Sequence, residues 1–182
     1  MHRRTMLSLL VVGLAACSRQ GSAPPLAATA SLADSAEQVM LNVRTLLTDR
    51  GVQRGELFAD SAYVFDNTTR FELRVVKATF NTVTGTKDGD LRAKRGRYNT
   101  AQQVLEGYGD AVITATGGRK LSSPHLRYNI AMNEVSSDSA FTAVQSDGSV
   151  LTGVGFRADP QLTRVQILKG TSGRSSFTMP GQ

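Results

Sequence analysis

Along most of the chain, apolar and polar positions alternate with a period of two. Val39, Leu41, Val43, Thr45 and Leu47 alternate with Met40, Asn42, Arg44, Leu46 and Thr48. Val39, Val43, Leu46 and Leu47 also fit a helical spacing. The β-branched content and the turn-like Thr48-Asp49-Arg50-Gly51 that follows favour a strand. Phe71, Leu73 and Val75 alternate with Glu72, Arg74 and Val76, after which Val76, Ala78 and Phe80 carry the apolar phase. That change of phase predicts a β-bulge near Val75-Val76. Val150, Thr152, Val154, Phe156 and Ala158 alternate with Leu151, Gly153, Gly155 and Arg157, and both faces there are only partly polar. Asp49-Arg50-Gly51, Asp66-Asn67, Asp88-Gly89, Gly117-Gly118 and Asp147-Gly148 punctuate these runs, and Asx-Gly and Gly-Gly pairs supply the positive φ of tight hairpins. No long amphipathic helix is predicted between Val52 and Lys169. The expectation is an all-β, antiparallel body over residues 36–169.

A repeat sharpens that expectation. Leu91, Ala93, Arg97-Tyr98-Asn99 and Leu105 recur 30 positions later as Leu121, Ser123, Arg127-Tyr128-Asn129 and Val135. Gly55-x-Leu57-x-Ala59 opens a related unit upstream, and Gly148-x-x-Leu151 opens one downstream. Self-similarity at a fixed period predicts stacked units of two or three strands each that share one continuous core.

The ends have a different character. Arg3 and Arg4 precede an apolar run from Met6 to Leu14, and small residues Ala15 and Ala16 follow, the layout of a secretory signal over residues 1–16. The run is nine residues long, short of the ~20 that a membrane-spanning helix needs. Leu14-Ala15-Ala16-Cys17 resembles the bacterial lipobox, whose Cys is acylated and becomes the mature N-terminus. An ordinary signal peptide containing a Cys, or a short membrane anchor, is the alternative. Residues 17–35, with Pro24-Pro25 among Ser and Ala, read as a flexible tether, and residues 170–182 as a Gly- and Ser-rich disordered tail.

Composition narrows the chemistry. A single Cys among 182 residues excludes an internal disulfide framework and a multi-thiolate zinc site, and two histidines exclude a His-rich metal site. No metal or other cofactor is expected. Ser122, His125 and Asp138 form a catalytic triad only on paper, with no Gly-x-Ser-x-Gly elbow near them. Gly107-Tyr108-Gly109 and Gly153-Val154-Gly155 sit in strand context, not at the strand-to-helix junction that cradles phosphate. Glu56, Asp60, Asp66, Asp88, Asp90, Glu106, Asp110 and Asp138 read as a solvated face, so catalysis is not expected.

The formal charge of +6 falls by two when cleavage removes Arg3 and Arg4. Arg92, Lys94, Arg95 and Arg97 cluster in one strand, and Arg119, Lys120 and Arg127 lie in the next unit. Such a rim suits nucleic acid, anionic lipid headgroups or a phosphorylated glycolipid. An exported lipoprotein rarely meets nucleic acid, so the lipid and sugar-phosphate ligands rank above it. For any one of these residues a solubilising charged face is the plainer account.

In order and spacing the chain resembles the LptC family of lipopolysaccharide-export proteins, related to OstA-like β-jellyroll domains. The resemblance covers roughly Val43 to Lys169. It rests on Gly51, Gly55-x-Leu57-x-Ala59-Asp60-x-Ala62-Tyr63, Leu91-x-Ala93-x-x-Gly96-x-Tyr98 and Gly107-x-Gly109-x-Ala111-Val112. It continues through Gly118-x-x-Leu121-x-Ser123-x-x-Leu126-x-Tyr128, Val135-x-Ser137-Asp138 and Gly153-x-Gly155-Phe156-x-Ala158-Asp159.

The resemblance implies a twisted, open, boat-shaped jellyroll sandwich with an apolar groove, a non-enzymatic module. Such a module passes lipopolysaccharide from an inner-membrane ABC transporter to a periplasmic bridge of LptA-like jellyrolls. Groove candidates are Phe71, Leu73, Phe80, Leu91, Leu105, Val112, Leu121, Tyr128, Phe141 and Phe156. Strands Val39–Leu47 and Leu162–Lys169 are expected at open edges that neighbouring jellyrolls extend. A scaffolding lipoprotein that pairs through its edges without carrying lipid is the alternative, and an enzyme acting on envelope glycans is a distant third. Two features depart from the family: acylated Cys17 would replace the transmembrane helix of many members, and Ser18 stands where enteric bacteria place the inner-membrane retention signal Asp. Periplasmic anchorage at the inner membrane is therefore expected, with outer-membrane sorting as its competitor.

Overall fold

The computed structural model describes residues 31–172. One helical turn, α1 (Leu32–Ser35), precedes nine strands: β1 (Gln38–Asp49), β2 (Val52–Phe65), β3 (Arg70–Asn81), β4 (Lys87–Asn99), β5 (Val104–Ala115), β6 (Lys120–Asn129), β7 (Glu134–Val144), β8 (Val150–Ala158) and β9 (Val165–Ser172). Each strand pairs antiparallel with the next, so sheet order is chain order and β1 and β9 form the edges. The signal segment, Cys17, most of the tether and residues 173–182 lie outside the described residues. The last strand runs beyond its expected end at Lys169, through pairs Gly153↔Thr171 and Thr152↔Ser172. Unpaired backbone groups of β8 draw Gly- and Ser-rich sequence into the ladder despite its low strand propensity.

Every strand from β2 to β8 interrupts its alternation near its middle. Buried positions on β2 run Gly55, Leu57, Ala59 and then Ala62, Val64; on β4, Leu91, Ala93 and then Gly96; on β6, Leu121, Ser123 and then Leu126, Tyr128. The registers set these interruptions in one line across the sheet. Asn42 and Val75 both stand opposite Asp60, Val75 opposite Lys94, and Lys94 opposite Gly109-Asp110. The line continues through Pro124 and Ser139 to Gly155 and Leu168. Left-handed backbone marks it at Asn42 (φ 51°), Val75 (φ 52°), Gly109 (φ 75°), Asp110 (φ 50°) and Gly155 (φ 72°). At Val75 no residue is inserted, contrary to the predicted bulge: Arg74↔Arg95 and Val76↔Ala93 keep one register. The left-handed turn alone reverses the face, at ~1–2 kcal/mol for an L-residue. True insertions occur on β5 and β7, where the registers shift by one.

Along this crease the sheet folds over itself into two facing layers. Phe80, late in β3, meets Tyr128, late in β6, with ring centroids 4.5 Å apart. Two strands, β4 and β5, lie between theirs within the sheet, three spacings or ~14 Å of lateral distance, so the contact exists only because the layers close. The Gln103 amide, in the β4–β5 turn, donates to the Thr48 carbonyl of β1 at 3.0 Å. One cluster running from Leu47 to Leu162 fills the space between the layers. The Arg-Tyr-Asn repeat proves to be a turn device. Asn99 Oδ1 accepts from the Gln102 amide at 2.8 Å and Asn129 Oδ1 from the Met132 amide at 3.0 Å, and the residue after each is left-handed (Gln103 φ 53°, Asn133 φ 49°).

Candidate functional site

Eight of the ten groove candidates, Leu73, Phe80, Leu91, Leu105, Leu121, Tyr128, Phe141 and Phe156, are buried in the common core. Phe71 is half-buried beside Tyr98 at the rim, their rings 6.3 Å apart. Val112 faces the other way, between buried Ala111 and Ile113. The extra residue at Gly109-Asp110 restores odd positions of β5 to the interior, so parity counted from Leu105 carries across the crease. Tyr128 anchors the seam between the layers. Its hydroxyl donates to Asn133 Oδ1 at 3.0 Å, and burial holds its phenol well above the ordinary tyrosine range. Near it, Arg54 Nε and Asp88 Oδ2 are buried without hydrogen-bond partners, polar groups of the interior that alternation does not single out.

The apolar interior thins towards the edge strands. Met40 and Val43 of β1, Val165 and Ile167 of β9, and the rim pair Phe71 and Tyr98 pack on the core while remaining partly exposed. The outer faces of the edges are apolar too: Leu41 is 72% exposed, Leu46 52% and Leu168 46%. An unpaired edge with apolar side chains on both faces is a template for another strand.

The outer face of the middle strands is ionic. In one row Glu72, Arg97, Glu106 and Arg127 stand opposite one another across β3 to β6. Glu72 accepts from Arg97 Nε at 2.8 Å and from Arg70 Nη1 at 3.1 Å. In the neighbouring row Tyr108 donates to Glu106 Oε2 at 2.7 Å and stacks on the His125 ring at 4.7 Å. Burial, with the Glu106 hydrogen bond second, pushes the Tyr108 phenol up to about 12. Arg92, Lys94, Arg95 and Arg97, which sequence groups in one strand, are all exposed on β4. Alternation would divide them between two faces, and the crease between Arg92 and Arg95 puts them on one. What sequence missed is Arg70, Arg74 and Lys77 on β3, which join them. The slip of phase at Val75 was the signal.

The paper triad does not assemble. The Ser122 hydroxyl donates to the Thr142 carbonyl at 3.3 Å, His125 is engaged by Tyr108, and Asp138 is exposed on β7. Among the described residues, no three His, Cys, Asp or Glu side chains gather as a metal site, and no helix is long and apolar enough to cross a membrane. Buried Ser123 and Ser137 are structural: they donate to the Ala140 carbonyl at 2.9 Å and the His125 carbonyl at 2.7 Å, where the crease interrupts the β6–β7 ladder.

Comparison with known proteins gives this architecture a family. The crystal structure of LptH from Pseudomonas aeruginosa, described as the LptA homologous periplasmic component of the conserved lipopolysaccharide transport device, shares the fold with a TM-score of 0.52. It is 18% identical, and the match covers 70% of this chain and 90% of that one. No curated protein sequence matches the chain. The sequence profile of the family described as "Lipopolysaccharide-assembly, LptC-related" matches residues 5–176. This all-β chain, matched to the profile over nearly its whole length, belongs to the LptC-related lipopolysaccharide-assembly family, whose role is in lipopolysaccharide transport and not in catalysis.

Proposed function

We propose that this protein carries lipopolysaccharide within the export machinery, receiving it from the inner-membrane ABC transporter and passing it to a periplasmic bridge of similar jellyrolls. The carrying observation is the continuity of the apolar interior with both edge strands. Acyl chains leaving a membrane need a dry path, and β1 and β9 offer one jellyroll the means to extend the next by strand addition. Tight filling by Phe80 and Tyr128, both 0% exposed, favours the alternative, a scaffold joined by its edges and empty of lipid. Photo-crosslinking separates the two. A benzophenone side chain in place of Phe141 or Tyr128 should label lipopolysaccharide in cells several-fold more than one in place of exposed Arg127. Equal labelling at all three positions would leave the scaffold.

Anchorage through acylated Cys17 at the periplasmic face of the inner membrane belongs to the same reading. Cys17→Ala should abolish incorporation of tritiated palmitate and leave the precursor uncleaved on immunoblots. Undiminished palmitate labelling would sink the anchor. Fractionation of the wild-type protein decides between the inner membrane and the outer-membrane sorting that Ser18 permits.

A further inference from the structure

The outer face of β3 and β4 has a charge pattern that folding alone does not favour. Between Arg70 and Lys77 on β3 and between Arg92 and Asn99 on β4 stand seven cations, Arg70, Arg74, Lys77, Arg92, Lys94, Arg95 and Arg97, with one carboxylate, Glu72. Beyond these bounds Asp90 on β4, paired with Lys87 at 2.7 Å, stands beside Arg92, and flanking strands add Asp60 on β2 and Glu106 and Asp110 on β5. Lys94 pairs with Asp110 at 2.6 Å, while Arg70 and Arg97 share Glu72. Four cations make no ion pair among the described residues, and they face each other directly: Arg74↔Arg95 and Lys77↔Arg92 are cross-strand partners. Like charges in such positions destabilise a sheet, and an anion lying over them reverses the sign.

Three further features narrow the occupant. Val75, 44% exposed, stands in the crease among these cations, so the patch has an apolar centre. A shallow concavity of about 580 Å³ opens on one side of that crease, lined by Leu32, Arg70, Glu72, Arg74, Arg95 and Arg97. Leu32 begins the folded body, and 13 residues stand between Cys17 and Ser31, a reach of at most ~50 Å when fully extended. The cationic face is thus where the chain arrives from its proposed acyl anchor. We propose that this face docks on the anionic phospholipid headgroups of the membrane that holds the anchor, phosphates bridging the Arg74–Arg95 and Lys77–Arg92 pairs. The inference rests on the anchorage proposed above. A broad, flat array of cations around an exposed Val suits a headgroup surface better than an acidic protein segment, which would need matching hydrogen-bond acceptors in fixed positions.

The test uses the full mature chain from residue 17 with Cys17→Ser, so that binding reports the face and not the acyl chains. Co-sedimentation with phosphatidylethanolamine–phosphatidylglycerol vesicles should exceed that with phosphatidylcholine and fade as ionic strength rises from ~0.15 M to ~1 M. R92Q/R95Q should bind roughly 25-fold more weakly, about fivefold for each charge removed. R127Q/R157Q, on the same outer face but on β6 and β8, two and four strands beyond β4, should bind as wild type. Arg95→Glu supplies a readout that a merely structural role would not give. It turns a repulsive cross-strand pair into an attractive one, so Tm should rise while vesicle binding is lost. Binding that ignores headgroup charge or survives R92Q/R95Q overturns the proposal. So does an absence of vesicle binding, and capture of an acidic protein through these same residues would then identify that class of partner instead. Failure of palmitate labelling at Cys17 with vesicle binding intact would remove the anchor and leave the face.

Discussion

Tyr128→Ala should cost about 3–5 kcal/mol of folding stability, read from urea denaturation of the purified protein. The side chain is wholly buried between the two layers, 4.5 Å from the Phe80 ring, and its hydroxyl is satisfied by Asn133. Truncation removes the apolar area and leaves a cavity that a folded sheet, held by its ladders, cannot close. Tyr128→Phe isolates the hydroxyl and should cost about 1 kcal/mol, most of it the stranded Asn133 acceptor. Phe80→Ala should be similarly damaging, and the double variant should fall short of the sum, because the two rings stabilise one seam. Domains of this size hold only about 5–15 kcal/mol in total, so the seam is a large part of what keeps the layers shut. If Tyr128→Ala were no worse than a surface change, the interior would already be open in the native state, and passage of lipid would need no separation of layers.

Gly55→Ala should be as severe for a different reason. A Cβ at Gly55 would stand 2.1 Å from the Thr79 carbonyl oxygen of β3, and that atom is ladder backbone, unable to swing aside. Relief requires β2 and β3 to part where Gly55 pairs with Phe80, which also shifts the seam. The expected cost is about 3 kcal/mol or more, with a lower Tm and a folded fraction sensitive to urea. Gly118→Ala is the contrast: its φ is +80° but nothing lies within 4 Å, so only the left-handed backbone resists, at ~1–2 kcal/mol. A Gly55→Ala protein as stable as Gly118→Ala would mean that the two strands approach less closely than the structure shows.

The strands themselves were legible in the residues. Alternation at Val39–Leu47, Phe71–Phe80 and Val150–Ala158 is a local property, since side-chain direction reverses at each extended residue. So are the hairpins at Asn99 and Asn129, whose side chains bond amides three residues on. Burial of Leu91, Leu105 and Leu121 needed no more than that pattern. The phase change at Val75 was equally visible, but its mechanism was not. An inserted residue and a left-handed one leave the same apolar pattern in a single strand, and only the register against β4 tells them apart. On β5 the extra residue at Gly109-Asp110 cancels the reversal at the crease, so plain alternation from Leu105 already turns Val112 outward.

By itself, then, the sequence determined an antiparallel all-β body, its turns, its apolar edge strands and the presence of a basic run in β4, because each depends on neighbours a few residues away. Tertiary structure alone decided that the interruptions of all the strands form one crease, that Phe80 and Tyr128 meet across it, and that Arg74 faces Arg95. Those facts are set by inter-strand register and by the closing of two layers, which bring together residues dozens of positions apart. Their pairing is fixed by the burial shared across the whole sheet, so no local pattern can contain it.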